Sequence, residues 1–319
     1  MERLILEKKV TDVCHGLRFD AALALMFPSY SRAQLSKWAK EGFITLDGKT
    51  AKITYKVKGI ELVRLDCPLA PQTLLVAQDL DLDIHFEDEH FLVINKRANW
   101  VVHPGAGNSD GTVVNALLHH DQTLEKLPRA GIVHRLDKDT TGLLIVAKTL
   151  ESYHVLVKQM QERAIQRHYQ AIIYGECRQK ETFDTFIDRH PTVRTRMAVT
   201  NKGKNAITHI QPIDTYLGVT HLDVKLETGR THQIRVHLTH VGFPLIGDQT
   251  YHSKNHQKIA EAKINAVFDD FNRQALHAYQ LKLNHPISQE PMVFTQPLPN
   301  DMQNLLKKIK ELSHDGFNQ

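Results

Sequence analysis

Apolar residues at helical spacing mark the beginning of the chain. They recur every four positions from Leu17 to Leu25, and Pro28 ends the helix that this spacing predicts. Ser31 is a suitable N-cap for a second helix, which ends at Gly42. Residues 43–48 then read as a short strand followed by an Asp-Gly turn of the hairpin type. The pattern predicts a small α+β module.

The remainder of the chain is richer in strands. Runs of apolar and β-branched residues predict strands at Phe91–Asn95, Gly142–Ala147, His168–Tyr174, Ile207–Gln211 and His221–Leu226. Helical spacing predicts helices at Thr112–His119, Leu150–Ala164, Thr231–Val241 and Asp301–Leu312. Because strands and helices do not alternate strictly, we expect an α+β fold with a mainly antiparallel mixed sheet and flanking helices.

Charge divides the chain into two parts. Residues 31–64 hold eight basic and three acidic residues, a net charge of +5, whereas residues 68–95 hold six acidic residues and no Lys or Arg. Prolines stand where the sign changes, which is typical of a linker. We therefore predict two domains, residues 1–73 and 74–319, with a basic face on the first that binds RNA or is simply solvated.

Composition excludes several classes of protein. The chain has 319 residues, of which 41% are hydrophobic and 24% charged, so it is long and apolar enough for a sizeable core. No apolar run approaches the length needed to span a membrane, and residues 1–10 lack the apolar core of a signal peptide. Three widely separated cysteines predict neither a disulfide framework nor a metal site, which favours the reducing cytoplasm.

A dense polar stretch lies between two apolar flanks in residues 131–148, GIVHRLDKDTTGLLIVAK. It includes His134, Arg135, Asp137 and Asp139. Polar groups between buried strands are costly to desolvate unless they are hydrogen-bonded or used, and loops on a rigid scaffold commonly carry catalytic groups. The pattern is equally consistent with a catalytic loop and with a polar turn.

A second polar stretch, residues 226–240, includes Arg230 and a predicted helix. Arg235 lies beside the apolar stripe of that helix, where it could reach a neighbouring carboxylate. Three histidines in this stretch suggest a metal site at first sight, but their spacing does not place them on one helix face, and no HExxH motif is present. We therefore expect no metal there. The histidines concerned are His232, His237 and His240.

Two further motifs have competing interpretations. The glycine-containing stretch 101–111, VVHPGAGNSDG, imitates a phosphate-binding loop and raises the alternative of a nucleotide-binding oxidoreductase, but it lacks the full GxGxxG pattern and a Walker lysine. In residues 167–175, RHYQAIIYG, Tyr169 stands near the start of a strand. Taken alone, that tyrosine is best explained as a core aromatic with its hydroxyl at the rim.

Together these stretches resemble the RluA-type pseudouridine synthases. GIVHRLDKDTTGLLIVAK is similar to the central motif of that family, RHYQAIIYG to the second and TGRTHQIRVH to the third, and all three occur in the family's order. The segment SRAQLSKWAKEGFITLDGK resembles the alpha-L RNA-binding domain of the ribosomal protein S-four type. One departure is NKRANW, in which Arg97 stands where the family usually has proline.

The resemblance implies roles for individual residues. Asp137 would be the essential aspartate of an enzyme that isomerises uridine in RNA, acting as nucleophile or as general base. Arg235 would hold that carboxylate ionised through a bidentate fork, and Tyr169 would lie against the uracil. Arg135 would enter the duplex where the target base is flipped out. The other expected RNA-binding residues are His134, Arg230, Arg32 and Lys37.

The resemblance also implies a partner. It points to 23S rRNA of the large ribosomal subunit, at the loop of helix 69, and to a cytoplasmic monomer that needs neither cofactor nor metal. A different class of function is a catalytically silent RNA-binding factor for ribosome assembly. The intact Asp137, Tyr169 and Arg235 argue against that alternative.

Overall fold

The chain forms two compact units, Met1–Leu74 and Leu75–Gln319. The structure is a computed structural model that describes residues 3–28, 30, 32–68, 76–105, 108–216, 218–251, 268 and 270–315. Each unit has a hydrophobic core of its own.

The first unit is a three-stranded antiparallel sheet with two helices. Its strands lie in the order β1-β3-β2, and its elements are β1 (Arg3–Lys9), α1 (Phe19–Met26), α2 (Arg32–Lys40), β2 (Ile44–Leu46) and β3 (Leu62–Pro68). Both predicted helices are present, although the expected N-cap Ser31 lies outside the described residues. The fully buried Phe19, Leu23 and Leu35 of the helices pack with Ile44 and Leu65 of the sheet.

The Asp-Gly turn after β2 has the expected conformation but not the expected connection. Asp47 and Gly48 have φ angles of 48° and 75°, as the hairpin-type turn requires, and hydrogen bonds between Leu46 and Lys49 close it. However, β2 pairs with β3, which begins only at Leu62, so the turn does not join two neighbouring strands of the sheet.

The second unit contains one large sheet and four longer helices among its described residues. The helices are α3 (Val113–His120), α4 (Leu150–Gln161), α5 (Gln233–His240) and α6 (Asn300–Asp315). The strands are β4 (Ile84–Glu87), β5 (Phe91–Lys96), β6 (Thr141–Ala147), β7 (Gln166–Tyr174), β8 (Glu181–Arg189), β9 (Met197–Thr200), β10 (Lys204–Tyr216), β11 (Val219–Leu226), β12 (Leu276–Asn284) and β13 (Pro291–Thr295).

The sheet confirms the prediction of a mainly antiparallel α+β fold. Its order is β4-β5-β6-β12-β7-β11-β10-β8-β9, with β13 also paired to β12. Among the described strand pairs only β6 and β12 run parallel, with Thr141 opposite His277. The predicted helix Leu150–Ala164 was too long at its end. In the structure α4 ends at Gln161, and Arg163 adopts a φ of 61°, which is outside the helical range.

Helices cover both faces of the sheet. On one face, α3 and α5 pack on Leu92, Leu144 and Ala171. On the other face, α4 covers β5 and β6, and α6 packs on the ends of β7 and β11. Strand β6 is buried along its whole length, which explains why its sequence is a continuous apolar run rather than an alternating one.

Buried histidines make the stability of this unit sensitive to acid. Burial lowers the pKa of His134 to about 3 and those of His221 and His237 to about 4. In the unfolded chain a histidine takes up its proton near pH 6.5, so the unfolded state binds more protons than the folded state between about pH 6.5 and 4. The free energy of unfolding should therefore fall as the pH falls through this range, by up to about 1.4 kcal/mol per pH unit for each such histidine.

Urea denaturation of the His221→Gln variant tests this dependence. We expect its unfolding free energy to fall less steeply between pH 6.5 and 4 than that of the wild type, by about 1 kcal/mol per pH unit. The exposed His154, changed to Gln, is the matched control and should leave the slope unchanged. Equal slopes for wild type and His221→Gln would contradict the assignment.

Candidate active site

The polar stretch predicted from the sequence is a loop fixed at both ends by glycines. Gly131 has a φ of 80° and a Cβ there would overlap the carbonyl oxygen of Ala147. Gly142 has a φ of 109° and a Cβ there would overlap the carbonyl oxygen of Ala278. Arg129 also adopts a positive φ, of 55°, just before the loop. The loop therefore starts and ends against the sheet in backbone that other residues adopt only under strain.

Hydrogen bonds from Lys96 link the loop, at the residue after Asp137, to the turn that follows β5. Lys96, which has no exposed surface, donates from Nζ to the carbonyl oxygens of Arg97, Trp100 and Lys138 at 2.8, 3.0 and 2.8 Å. Burial lowers the pKa of Lys96 to about 7, against the opposing charges of Asp139 and Asp137. Three carbonyl acceptors require three N–H donors, which only the charged ammonium provides.

His134 fixes the same loop from its other side. Its Nε2 accepts the backbone N–H of Ile145 at 2.9 Å, which requires that nitrogen to be unprotonated. The low pKa that burial gives His134 agrees with this neutral state. His134 therefore holds the start of the loop on β6.

A three-residue ion network joins the loop to α5. Arg235 donates from Nη1 to Oδ2 of Asp137 at 3.0 Å, so the predicted contact between these two residues exists. Its other edge donates from Nε and Nη2 to the two carboxylate oxygens of Asp248, at 2.7 and 2.9 Å. The bidentate fork predicted for Asp137 is therefore wrong: the fork binds Asp248, and Asp137 receives one hydrogen bond.

Asp248 is itself held in place. It is 1% exposed and accepts the backbone N–H groups of Thr250 and Tyr251 at 2.9 and 3.1 Å. Burial raises its pKa, but the hydrogen bonds and charge of Arg235 outweigh burial and lower the pKa below its ordinary value. The two carboxylates together raise the pKa of Arg235 despite its burial. Arg235 and Asp248 are therefore both charged.

The ring of Tyr251 packs against the guanidinium of Arg235. Its ring centroid lies 5.0 Å from Cζ of Arg235, within cation–π distance. Its hydroxyl accepts the backbone N–H of Met197 at 2.8 Å and bonds to Nδ1 of His232, also at 2.8 Å. The hydroxyl of Tyr251 thus links His232, the N-cap of α5, to Met197, the first residue of β9.

The network opens into a cleft of about 1170 Å³. Residues within 101–105, 132–140, 160–169 and 226–235 line it. Six of the eight predicted site residues are among them: Asp137, Tyr169, Arg235, Arg135, His134 and Arg230. Tyr169 is 5% exposed, and burial raises its pKa. The cleft therefore collects, on one side of the sheet, polar residues that are far apart in sequence.

The remaining two predicted residues, Arg32 and Lys37, belong to α2 of the first unit. Arg32 donates to Asp20 from Nη2 at 2.8 Å and from Nε at 3.2 Å. Lys37 is exposed and lies 3.8 Å from Glu41. Both side chains remain more than half exposed, so their charge is presented to solvent.

Sequence reasoning missed Lys96, Asp248 and Tyr251. Lys96 had a signal, since it ends the apolar run of β5 and a lysine there must bury its charge or reach acceptors. The sequence holds no such signal for Asp248 and Tyr251, because their partner Arg235 lies in a different element. Among the described residues, no three His, Cys, Asp or Glu side chains are arranged to hold a metal ion. No helix in the described part of the chain is long and apolar enough to cross a membrane.

The shared guanidinium predicts that Arg235→Lys is damaging. A lysine has one ammonium and cannot hold both carboxylates in the same geometry, so one of them loses its partner. We expect a loss of unfolding free energy of about 3 kcal/mol, typical of an uncompensated buried charge. Denaturant unfolding measures it, with the exposed Arg178→Lys as control; a loss below about 1 kcal/mol would show that charge alone suffices.

Comparisons with known proteins agree on one family. Residues 90–240 match the family model described as RNA pseudouridylate synthase. The chain is 46% identical over 303 residues to the ribosomal large subunit pseudouridine synthase D of Xanthomonas campestris pv. campestris, covering 95% of this chain and 92% of that protein. The protein of the same name from Escherichia coli O6:H1 is 45% identical over 311 residues, covering 97% of this chain and 95% of the relative.

Solved structures support the fold. The human RNA pseudouridylate synthase domain containing 4 gives a TM-score of 0.56 at 22% identity, covering 72% of this chain and 93% of that chain. The human RNA pseudouridylate synthase domain containing 1 gives 0.54 at 23% identity, covering 73% and 96%. From the sequence identity over almost the whole chain, together with the fold, the protein belongs to the RNA pseudouridylate synthase family.

Proposed function

We propose that this protein isomerises specific uridines of 23S rRNA in the large ribosomal subunit to pseudouridine. The observation that carries the proposal is the Asp137 carboxylate, 15% exposed, held by Arg235 at 3.0 Å in a cleft of about 1170 Å³. The names of the relatives, ribosomal large subunit pseudouridine synthase D, support the choice of RNA. The finer target, the loop of helix 69, rests on the family resemblance alone.

The reaction needs a carboxylate close to the sugar of the target nucleotide. The N1–C1′ bond of uridine breaks, the uracil turns, and C5 bonds to C1′. Asp137 serves this either by attacking C1′ as a nucleophile or by taking a proton from the sugar as a general base. In both routes the hydrogen bond from Arg235, at 3.0 Å, orients the carboxylate.

The other residues of the cleft have roles in binding. C5 and C1′ are shielded in a stacked helix, so the target base must be flipped out. Arg135 is exposed at the cleft and fills the gap that the base leaves, while Tyr169 lies against the uracil. Arg230 contacts the RNA backbone, and His134 contributes by holding the loop.

The first unit supplies affinity for the rRNA. We assign residues 1–73 to an alpha-L RNA-binding domain, with Arg32 and Lys37 on its basic face, and residues 74–319 to the catalytic domain. Phosphate contacts from this face provide binding strength, while the cleft selects a uridine. The protein acts as a cytoplasmic monomer without cofactor or metal.

Release of tritium from rRNA labelled with 5-³H-uridine, with no cofactor added, tests the proposed function. The C5 proton is lost when C5 bonds to C1′, so the isomerase releases it. RNA binding without release would instead identify a silent assembly factor. Mapping the pseudouridines by carbodiimide-dependent stops of reverse transcription then tests the helix 69 target.

We expect Asp137→Asn to abolish proton release. The amide is neither nucleophile nor base, and a loss of at least about 1000-fold corresponds to roughly 4 kcal/mol of barrier. The fold should survive because Asp248 still neutralises Arg235, so RNA affinity should stay within about twofold. Asp139→Asn is the matched comparison; if it is the inactive variant and Asp137→Asn is active, the essential carboxylate has been misassigned.

We expect the double variant Arg32→Gln/Lys37→Gln to bind rRNA more weakly and with less dependence on salt. Each lost phosphate contact reduces the slope of log affinity against log salt by about one unit, so two contacts reduce it by about two. Turnover on a short, saturating uridine hairpin should not change. The control Lys307→Gln/Lys308→Gln removes the same charge from α6; an equal slope in both variants would mean that the basic face is only solvated.

A further inference from the structure

Arg167, at the start of β7, is a buried cation without a buried anion. Its relative exposure is 6%, and it lines the cleft two residues before Tyr169. No carboxylate of the described residues lies within 4.0 Å of its guanidinium. Its one hydrogen bond runs from Nη2 to the carbonyl oxygen of Glu227, at 3.1 Å, and its buried Nε has no partner among the described groups.

This arrangement contrasts with Arg235, the other buried arginine of the cleft. Arg235 is neutralised twice, by Asp137 and Asp248. A guanidinium taken out of water without a counterion costs several kcal/mol, and a buried donor without an acceptor adds to that cost. Such groups in native structures call for an explanation, and a ligand that brings the missing anion is one.

The guanidinium of Arg167 lies at the wall of the cleft, close to the backbone of Gly229. Gly229, in the adjacent wall of the cleft, has no side chain, and a Cβ there would lie 2.7 Å from Nη1 of Arg167. Burial lowers the pKa of Arg167, and the charge of Arg230 lowers this pKa further, while Tyr169 acts in the opposite direction. The missing partner must therefore carry negative charge and must enter from the cleft.

We propose that Arg167 is a catalytic residue that binds the negative charge developing on the uracil as the N1–C1′ bond breaks. This inference rests on the proposed function and adds to it the group that stabilises the leaving base. A donor placed where charge develops in a water-poor site contributes about 100-fold to 1000-fold in rate.

The base leaves the sugar as an anion and is neutral again in the product. The pair of the N1–C1′ bond stays with the base, which becomes a uracil anion with its charge spread over N1, O2 and O4. At the sugar, C1′ gains a bond to the Asp137 carboxylate, or C2′ gives its proton to Asp137 and a C1′–C2′ double bond forms. When C5 bonds to C1′, the carboxylate leaves or the proton returns to C2′. The base then loses the C5 proton and gains one at N1.

The burial of Arg167 favours the uracil over a phosphate of the RNA backbone as the anion that Arg167 binds. Phosphates are strongly hydrated, and the cleft offers them an exposed arginine, Arg129. Arg167 is almost completely buried beside Tyr169, where an extruded base goes rather than a backbone. We therefore assign the anion to the uracil.

Single-turnover rates on a short uridine hairpin test the assignment. We expect Arg167→Gln to lower the rate about 100-fold while RNA affinity and its salt dependence stay within about twofold of wild type. Arg167→Lys should recover at least tenfold of that loss. On the same hairpin with 5-fluorouridine, followed by nucleoside chromatography, the loss should shrink to about tenfold, because fluorine stabilises the anion without help from the protein.

Two further variants keep the test decisive. Arg178→Gln removes an exposed arginine outside the cleft and should match the wild type on both substrates. If Arg167→Gln does not fold, Gly229→Ala keeps the charge but displaces the guanidinium, and it should lower the rate about tenfold with the same dependence on fluorine. Thermal melting reports folding of each variant.

Three results would overturn the inference. These are an unchanged rate in Arg167→Gln, an equal loss on uridine and 5-fluorouridine, and a loss confined to affinity and salt dependence, which would identify a phosphate site. In each case the wild type still releases the C5 proton of uridine. If the wild type releases none, the proposed function fails instead.

Discussion

The guanidinium of Arg235 is the group that joins the two carboxylates of the site. It bonds to Asp137 at 3.0 Å with one nitrogen and to Asp248 at 2.7 and 2.9 Å with the other two. Because Asp248 is buried and anchored by backbone N–H groups, it fixes the plane of the guanidinium, and the guanidinium in turn fixes Asp137. The orientation of the Asp137 carboxylate therefore depends on a residue outside the three sequence motifs.

The same loop depends on a second buried charge. Lys96 satisfies three carbonyl oxygens, one of them on Lys138, the residue after Asp137. Arg97, which departs from the family pattern, stacks on Trp100 with Cζ 4.6 Å from the ring centroid and offers its carbonyl to Lys96. The unusual side chain thus changes the surface of this turn, while the backbone still supplies the hydrogen bonds that Lys96 requires.

Local patterns in the sequence predicted the elements that bury apolar surface. Strands β5, β6, β7 and β11 and helix α3 have continuous or periodic apolar residues, and the predicted spans lie within two residues of the structure. Strand β8 was missed because it is largely exposed and carries no apolar run, and β9 because it is only four residues long and half-buried. The buried strand β12 was missed as well. In the site, the pairing of Asp137 with Arg235 followed from the family resemblance. The role of Asp248 could not follow, because only the folded sheet brings it to α5.

The glycines at the two ends of the loop restrict how this enzyme could change. Gly131 and Gly142 lie so close to the carbonyl groups of Ala147 and Ala278 that neither end can move outward or accept a side chain. An insertion between them would have to expand into the cleft that the loop lines. Sequence change in this region is therefore easier in the other walls of the cleft than in the length of the loop. Related chains should accordingly share the length of this loop even where the surrounding walls differ.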